Sequence, residues 1–180
     1  MRIIGGKYRG KKLWAPVGKD VRPTAERARE AVFNILYSHL NTEYASLSVA
    51  DIFAGTGAFG LEAISRGFKS VTFVDKDVTA VTRNAKMFPA EQEKINIIKA
   101  DALNLPRLRR RFDMVFMDAP YAKGLTEQVL VQVVAKQWLA ENAICIAEVR
   151  SDEKIVIPDT LELIDERLYG LARILFLREK

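Results

Sequence analysis

Cysteine, histidine and long apolar runs are scarce in this 180-residue sequence. The single cysteine, Cys145, excludes an internal disulfide framework. The single histidine, His39, excludes a histidine-rich metal site, so we expect no bound metal. No stretch approaches the ~20 apolar residues of a membrane span, and the first residues lack the apolar core of a signal peptide. We therefore expect a cytoplasmic protein without membrane contact, with a monomer as the default state.

Basic residues are concentrated at the beginning of the chain. Hydrophobic residues make up 49% and charged residues 28% of the sequence, which is typical of a soluble globular domain. The net charge is +5, yet residues 1–30 alone hold nine basic and three acidic side chains, so the rest is nearly neutral. Such a localised excess indicates either a surface for nucleic-acid phosphates or a solvated arm that aids solubility.

Strands and helices alternate along the chain after a first helix that begins at Pro23-Thr24 and ends near His39. The apolar patterns predict strands over 47–53, 70–74, 95–99, 112–117, 143–149, 161–169 and 171–177, with helices over 58–66, 77–87 and 126–139. This alternation predicts an α/β fold with a mostly parallel sheet and helices on both faces. Ligands of such sheets bind at the carboxyl ends of the strands. There we expect four carboxylates to converge, those of Asp51, Asp75, Asp101 and Asp118.

A glycine turn, Gly55-Thr56-Gly57-Ala58-Phe59-Gly60, follows the first predicted strand. Asp75 lies 20 residues after Gly55, the spacing at which a strand-end carboxylate accepts hydrogen bonds from a ribose. Several kinds of nucleoside cofactor share this pattern, and a purely structural glycine turn also fits it. Asp51, just before the turn, would repel a pyrophosphate but attract a sulfonium or an amino group. The chain also lacks a second nucleotide-binding half, so both features point away from NAD.

A second motif, Asp118-Ala119-Pro120-Tyr121, follows the apolar strand predicted over 112–117. A carboxylate and a neighbouring backbone carbonyl can accept both hydrogens of an exocyclic amine and aim its lone pair at an electrophile. Tyr121 offers a face on which a base can stack, an interaction worth ~1–3 kcal/mol, and Pro120 stiffens the turn. An ordinary strand-to-loop turn has the same composition, but the combination with the glycine turn favours a functional site.

The two motifs together resemble those of class I S-adenosylmethionine-dependent methyltransferases that act on amino groups. The stretches at 2–13 and 22–36, with Tyr169-Gly170, resemble the RsmD family of bacterial 16S ribosomal RNA guanine-N2 methyltransferases, so the resemblance covers almost the whole chain. It implies a Rossmann-like, three-layer α/β/α fold whose seven-stranded sheet is mostly parallel with a C-terminal antiparallel strand. Glycine-separated alternating stretches over 1–20 predict a basic β-hairpin. We therefore divide the chain into a hairpin extension at 1–21 and a methyltransferase domain at 22–180.

The resemblance implies S-adenosylmethionine as the cofactor. Its methionine part is expected at the glycine turn, its ribose hydroxyls at the end of the second strand and its adenine amine after the third. From methionine to adenine, the implied residues are Asp51, Ala54, Gly55, Gly57, Asp75, Asp101 and the backbone of Ala102.

The resemblance also implies a guanine of 16S ribosomal RNA as the target, within a small subunit or an assembly intermediate. The residues implied to hold this guanine are Asp118, the Ala119 carbonyl, Pro120 and Tyr121. Flanking phosphates are expected at the basic residues Arg2, Lys7, Arg9, Lys11, Lys12 and Arg22. Ala119 stands where the family usually has its first proline. The carbonyl acceptor remains but φ is no longer fixed, so we expect an active enzyme with a looser loop.

Three other functions remain open from the residues. The same tetrapeptide suits the exocyclic amine of adenine, so an adenine-N6 methyltransferase on RNA or DNA is the first alternative. A non-catalytic ribosome-assembly factor that binds RNA through the basic segment is the second. A nicotinamide-dependent oxidoreductase is the least favoured. Only the N-terminal resemblance favours guanine over adenine.

Overall fold

The computed structural model describes residues 1–16, 23–39, 44–121 and 124–180, and the side chains of the first helix only from 26 to 36. The helices are α1 (Pro23–His39), α2 (Ala58–Ser65), α3 (Thr79–Ala85) and α4 (Leu125–Ala135). The strands are β1 (Ser48–Ile52), β2 (Ser70–Asp75), β3 (Ile95–Lys99), β4 (Phe112–Asp118), β5 (Leu139–Arg150), β6 (Leu161–Tyr169) and β7 (Ala172–Glu179). In the described ranges, no helix is long and apolar enough to cross a membrane.

The seven strands form one sheet in the order β3-β2-β1-β4-β5-β7-β6. Neighbouring strands from β3 to β5 are parallel, and β7 runs antiparallel to both β5 and β6. The predicted α/β, Rossmann-like sheet with its antiparallel C-terminal strand is therefore confirmed. The strand order reverses between β1 and β4, and ligands of such sheets bind at that point.

Hydrophobic cores lie on both faces of the sheet, as the three-layer prediction requires. On one face α1, α2 and α3 form one cluster with alternate strand residues, for example Phe33 and Val81 in the same cluster as Phe73. On the other face α4 packs through Val129 and Val133. The alternation of side chains along each strand sends successive apolar residues to opposite cores, and this explains why the central strands read as continuous apolar runs.

The predicted boundary between α4 and β5 is wrong by several residues. The helix ends at Ala135 and the strand already begins at Leu139. Gln137 has a φ of 57°, and the backbone N–H of Trp138 donates to the carbonyl of Val133 at 3.0 Å. These are the features of a left-handed helix end, a position that glycine usually fills. Because glutamine occupies it here, the sequence carries no stop signal at this place.

The predicted N-terminal β-hairpin is also wrong. Within residues 1–16, one antiparallel bridge joins Arg2 to Lys12, with turns between them, and no pair of strands forms. The backbone of this segment also bonds to α2. The N–H groups of Ile4 and Gly5 each donate to the carboxylate of Glu62 at 2.7 Å. The segment is therefore held by a helix side chain as well as by a few bonds between its own two arms, such as that from the Ile3 N–H to the Lys11 carbonyl at 2.9 Å.

The same segment contributes to the main core. Ile3 is fully buried and Leu13 nearly so, in one cluster with residues of α1 and α2. Gly6 has a φ of +76°, and a Cβ there would lie 1.9 Å from the carbonyl oxygen of Ser65, so only glycine allows this close approach. Residues 17–22, which include Arg22 and the proposed domain boundary at residue 21, lie outside the described residues.

Candidate active site

A cavity of about 610 Å³ opens at the carboxyl ends of β1, β2, β4 and β5. Its size falls within the range of small-molecule sites. Asp51, Asp75 and Asp118 line it, and Glu148 at the end of β5 lies beside them. The fourth predicted carboxylate, Asp101, is not among the lining residues, although its neighbours are. The predicted convergence of strand-end carboxylates is thus found for three of the four residues.

The glycine turn brings backbone, rather than side chains, to the cavity wall. Gly55 and Gly57 have φ values of 54° and 75°. A Cβ at Gly57 would lie 2.6 Å from Cγ2 of Val81 and 3.2 Å from Cε1 of Phe73, so the turn packs directly onto β2 and α3. Ala54, Gly55 and Ala58 line the cavity, whereas Gly57 supports the turn from behind. The turn therefore offers a ligand close contact with main-chain atoms.

Asp51 is the most deeply buried carboxylate of the site. Its side chain accepts a hydrogen bond from the backbone N–H of Gly60 at 3.0 Å and is only 2% exposed. Its pKa is raised to about 8, chiefly by burial; the nearby carboxylate of Asp75 contributes to the rise, whereas the Gly60 N–H and the Arg29 guanidinium oppose it. A carboxyl in this setting favours a cationic neighbour, since a positive charge would stabilise its ionised form.

Asp75 ends β2, and Asp101 follows the neighbouring edge strand β3. Asp75 accepts hydrogen bonds from the backbone N–H groups of Gly55, at 2.8 Å, and Asp77, at 3.0 Å. Asp101 accepts from the N–H of Leu103 at 3.0 Å, and its Oδ2 lies 3.0 Å from Nζ of Lys76. These two contacts hold the pKa of Asp101 below its usual range. Asp75 thus links the glycine turn to β2, and Asp101 lies at the rim.

Asp118 ends β4 inside the cavity. In the described part of the chain, its carboxylate has no hydrogen bond or ion pair, so both oxygens are open to a ligand. Burial raises the pKa of Asp118 well above its usual range, and the carboxylates of Glu148 and Asp51 add to this rise. Ala119 is buried, Pro120 lines the cavity, and the exposed ring of Tyr121 is 36% accessible. Its hydroxyl donates to Oε1 of Glu148 at 3.0 Å.

Several lining residues were missed by sequence reasoning. Glu148 stands opposite Asp118 in the register of β4 and β5. Its one sequence signal is a charge inside an otherwise apolar strand. Phe59 stacks on Phe116 with ring centroids 3.7 Å apart, and both rings line the wall. Phe53 also lines it, with a left-handed φ of 60° that is uncommon for a bulky residue and clusters at functional sites.

The N-terminal segment closes one side of the cavity. Met1 and Ala15 line it, and the Thr56 hydroxyl lies 3.1 Å from the sulfur of Met1. The buried amide of Asn84 accepts from the N–H of Trp14 at 2.8 Å and donates to the carbonyls of Trp14 and Thr56. One side chain therefore ties the N-terminal segment, α3 and the glycine turn together.

The basic residues of that segment differ in their surroundings. Arg2 contacts Glu26 at 3.3 Å, and Lys7 contacts the buried Glu91 at 2.8 Å. Lys11 lies over the ring of Tyr8, 5.4 Å from its centroid. Arg9 and Lys12 are exposed, with no charged partner within the described ranges. The predicted phosphate contacts at Arg2 and Lys7 would thus involve side chains that already have acidic partners.

Known proteins with the same sequence pattern match nearly the whole chain. The family model described as conserved hypothetical protein 95 matches residues 1–178. Ribosomal RNA small subunit methyltransferase D of Haemophilus influenzae is 33% identical over 178 residues, which cover 96% of this chain and 90% of that protein. The Escherichia coli K12 protein of the same name is 31% identical, covering 99% and 90%. This chain belongs to the RsmD family. The solved structure of E. coli yhhF superposes with a TM-score of 0.83 at 28% identity, over 100% of this chain and 98% of that one.

RsmD proteins are class I methyltransferases, a fold that implies S-adenosylmethionine as cofactor, and the residues present fit that group. The buried carboxyl of Asp51 suits a cationic ligand, and the glycine turn offers close main-chain approach. The stacked rings of Phe59 and Phe116 supply an apolar wall. In the described ranges, no group of three histidine, cysteine or acidic side chains could hold a metal ion.

Proposed function

We propose that this RsmD-family protein transfers a methyl group from S-adenosylmethionine to the exocyclic N2 amine of a guanine in 16S ribosomal RNA. The observation that carries the proposal is the carboxylate of Asp118, which lies in the cavity with both oxygens free of partners in the described chain, next to the Ala119 carbonyl. The names of the H. influenzae and E. coli relatives supply the ribosomal substrate. The free RNA or an assembled small subunit presents the base.

The cofactor is assigned to the cavity wall formed by the glycine turn and the strand ends. Asp51, Ala54, Gly55 and Gly57 are the residues we assign to its methionine part. Asp75 is assigned to the ribose hydroxyls, because its carboxylate already bonds the turn at Gly55. Asp101 and the Ala102 backbone are assigned to adenine, since Ala102 lines the cavity and Asp101 adjoins it.

The target amine is assigned to Asp118 and the Ala119 carbonyl, with Pro120 and Tyr121 beside the base. The cofactor, when bound, supplies a methyl group on a sulfonium, which is transferred to nitrogen as its bond to sulfur breaks. A guanine N2 amine is a poor nucleophile because its lone pair is delocalised into the ring. Accepting both N–H bonds localises that lone pair and orients it. We assign the released proton to Asp118, whose raised pKa makes its carboxylate a stronger base than an ordinary one.

The base must leave its stack to reach this cavity, at a cost of a few kcal/mol. We assign the flanking phosphates to the basic residues of the extension at 1–21 and to Arg22. Neutralising exposed Arg9 or Lys12 should lower the slope of log affinity against log salt by about 1. Lys69→Gln is the matched control, because Lys69 is exposed but lies just before β2 at the amino edge of the sheet.

A pair of variants tests the division between cofactor and amine sites. With labelled S-adenosylmethionine and small subunits from cells that lack this protein, Asp118→Ala should reduce transfer by about 10²-fold or more. Its affinity for S-adenosylhomocysteine should stay unchanged. Asp75→Ala should instead weaken S-adenosylhomocysteine binding, because the loss also releases the glycine turn. Equal turnover by Asp118→Ala and the unmodified protein would refute the role of Asp118.

A further inference from the structure

Glu148 is a half-buried carboxylate to which the proposed transfer assigns no task. It lies at the carboxyl end of β5, lines the cavity and pairs in register with Asp118 of β4. Register partners on neighbouring strands lie about 4.8 Å apart and direct their side chains to the same face. Two carboxylates thus stand side by side at the place assigned to the target amine.

The neighbours of Glu148 leave its carboxylate available as a hydrogen-bond acceptor beside the place assigned to the target amine. Its Oε1 accepts a hydrogen bond from the hydroxyl of Tyr121 at 3.0 Å, which holds the carboxyl group next to the loop that follows β4. Burial raises the pKa of Glu148, whereas the bond from Tyr121 lowers it. In the described chain it has no cationic partner, so a ligand that donates a hydrogen bond would stabilise the ionised carboxylate.

Guanine carries two kinds of donor side by side on one edge, the N2 amine and the N1–H group. Adenine has an amine next to an unprotonated N1, which accepts hydrogen bonds. A carboxylate beside the amine acceptor would therefore bond guanine and repel adenine. Enzymes that act on a flipped base read it through hydrogen bonds to this Watson–Crick edge.

We propose that Glu148 accepts the N1–H of the target guanine and thereby selects guanine over bases with an unprotonated N1. The inference rests on the proposed function and names the group that decides its base specificity. Asp118 and the Ala119 carbonyl hold the amine, and Glu148 reads the adjacent ring nitrogen. Within the described residues, the hydroxyl of Tyr121 bonds only Oε1 of Glu148, which leaves Oε2 to accept from the base.

The test replaces the methylated guanine by 2-aminopurine, which keeps the N2 amine but has no hydrogen on N1. Small subunits are rebuilt with 16S RNA that carries either base at the position that the unmodified enzyme methylates. The readout is the ratio of the two single-turnover rates. A hydrogen bond to a charged group predicts that the unmodified enzyme prefers guanine by about 10–100-fold.

Three variants separate direct reading from a structural role. Glu148→Met should bring the ratio close to one, mainly by slowing transfer to guanine. Tyr121→Phe removes the phenol but keeps the carboxylate, so it should retain most of the preference. Glu141→Met is the matched control, because Glu141 is an exposed glutamate near the other end of β5. Melting temperature and S-adenosylhomocysteine affinity confirm that each variant is folded.

The outcomes are distinct. A ratio that collapses in Glu148→Met, but persists in Tyr121→Phe and Glu141→Met, supports the proposal. An unchanged ratio in Glu148→Met overturns it, and so does an equal collapse in Tyr121→Phe, which would mean that Glu148 acts only through the tyrosine. If the unmodified enzyme forms no N2-methylguanosine at all, the proposed function itself has failed and this inference falls with it.

Discussion

Replacing Gly57 by alanine should damage both stability and cofactor binding, by an amount that the structure allows to be estimated. The residue has a φ of +75°, and a left-handed conformation costs a non-glycine residue about 1–2 kcal/mol. The new Cβ would also lie 2.6 Å from Cγ2 of Val81. Forcing extra volume into a packed region costs a further ~1–3 kcal/mol. The sum predicts a loss of about 2–5 kcal/mol in the free energy of unfolding.

Gly67→Ala is the matched control for this substitution. Gly67 also has a left-handed φ, of +97°, but a Cβ there would meet no atom within 4 Å. It should therefore show the backbone cost alone, while Gly57→Ala loses about 1–3 kcal/mol more. For a domain of this size that difference corresponds to roughly 2–12 °C in Tm.

Thermal unfolding gives the Tm of both variants, and titration with S-adenosylhomocysteine gives their affinity. Of the two variants, only Gly57→Ala should weaken binding, because Gly57 belongs to the turn that lines the cavity and Gly67 does not. Equal Tm losses in the two variants would refute the argument from close packing. Unchanged S-adenosylhomocysteine affinity in Gly57→Ala would refute the role of the turn.

Three further predictions follow from the carboxylates. The rate of methyl transfer should begin to fall on acidification at a pH above the usual carboxyl range, because burial, Glu148 and Asp51 raise the pKa of Asp118. In a single-turnover pH profile, Glu148→Gln should move this fall to lower pH. The raised pKa of Asp51, about 8, means that the folded state holds its proton between pH 4 and 8. Stability should therefore fall as pH rises through that window, and Asp51→Asn should flatten this part of the curve of Tm against pH. A variant curve that runs parallel to that of the unmodified protein would count against this. Lys7 helps to lower the pKa of Glu91 to about 2. Glu91→Gln should therefore lower the free energy of unfolding by ~1–3 kcal/mol at pH 7, and by progressively less as the pH falls from 4.5 towards 2. A Tm difference that stays constant over this pH range would contradict this.

Local chemistry in the sequence was enough to predict the sheet and the acidic residues and glycine turn of the cavity wall, but not its aromatic residues or Glu148. Asp51, Asp75 and Asp118 each end an apolar run, and the parallel connection rule brings such ends to one edge. The glycine turn was recognisable because its residues are adjacent in the chain. These features depend on short stretches, and short stretches are where sequence patterns are informative.

Features that depend on distant partners were not predictable in this way. Glu62 lies in an apolar helix and is far in sequence from its partners Ile4 and Gly5, so the sequence of the N-terminal segment predicted a free hairpin. Glu148 became a site residue only once β5 was placed beside β4. Lys7 counted as free basic charge until the fold paired it with Glu91. In each case the signal was a charge whose meaning depends on what the fold places next to it.

The most direct test of the central claim is the identity of the methylated nucleoside. Small subunits from cells that lack this protein are incubated with it and labelled S-adenosylmethionine, and the digested RNA is analysed by mass. We expect the unmodified protein to form N2-methylguanosine in 16S RNA, and Asp118→Ala to form it more slowly by about 10²-fold or more. Label in N6-methyladenosine, or the same yield from both proteins, would contradict this expectation.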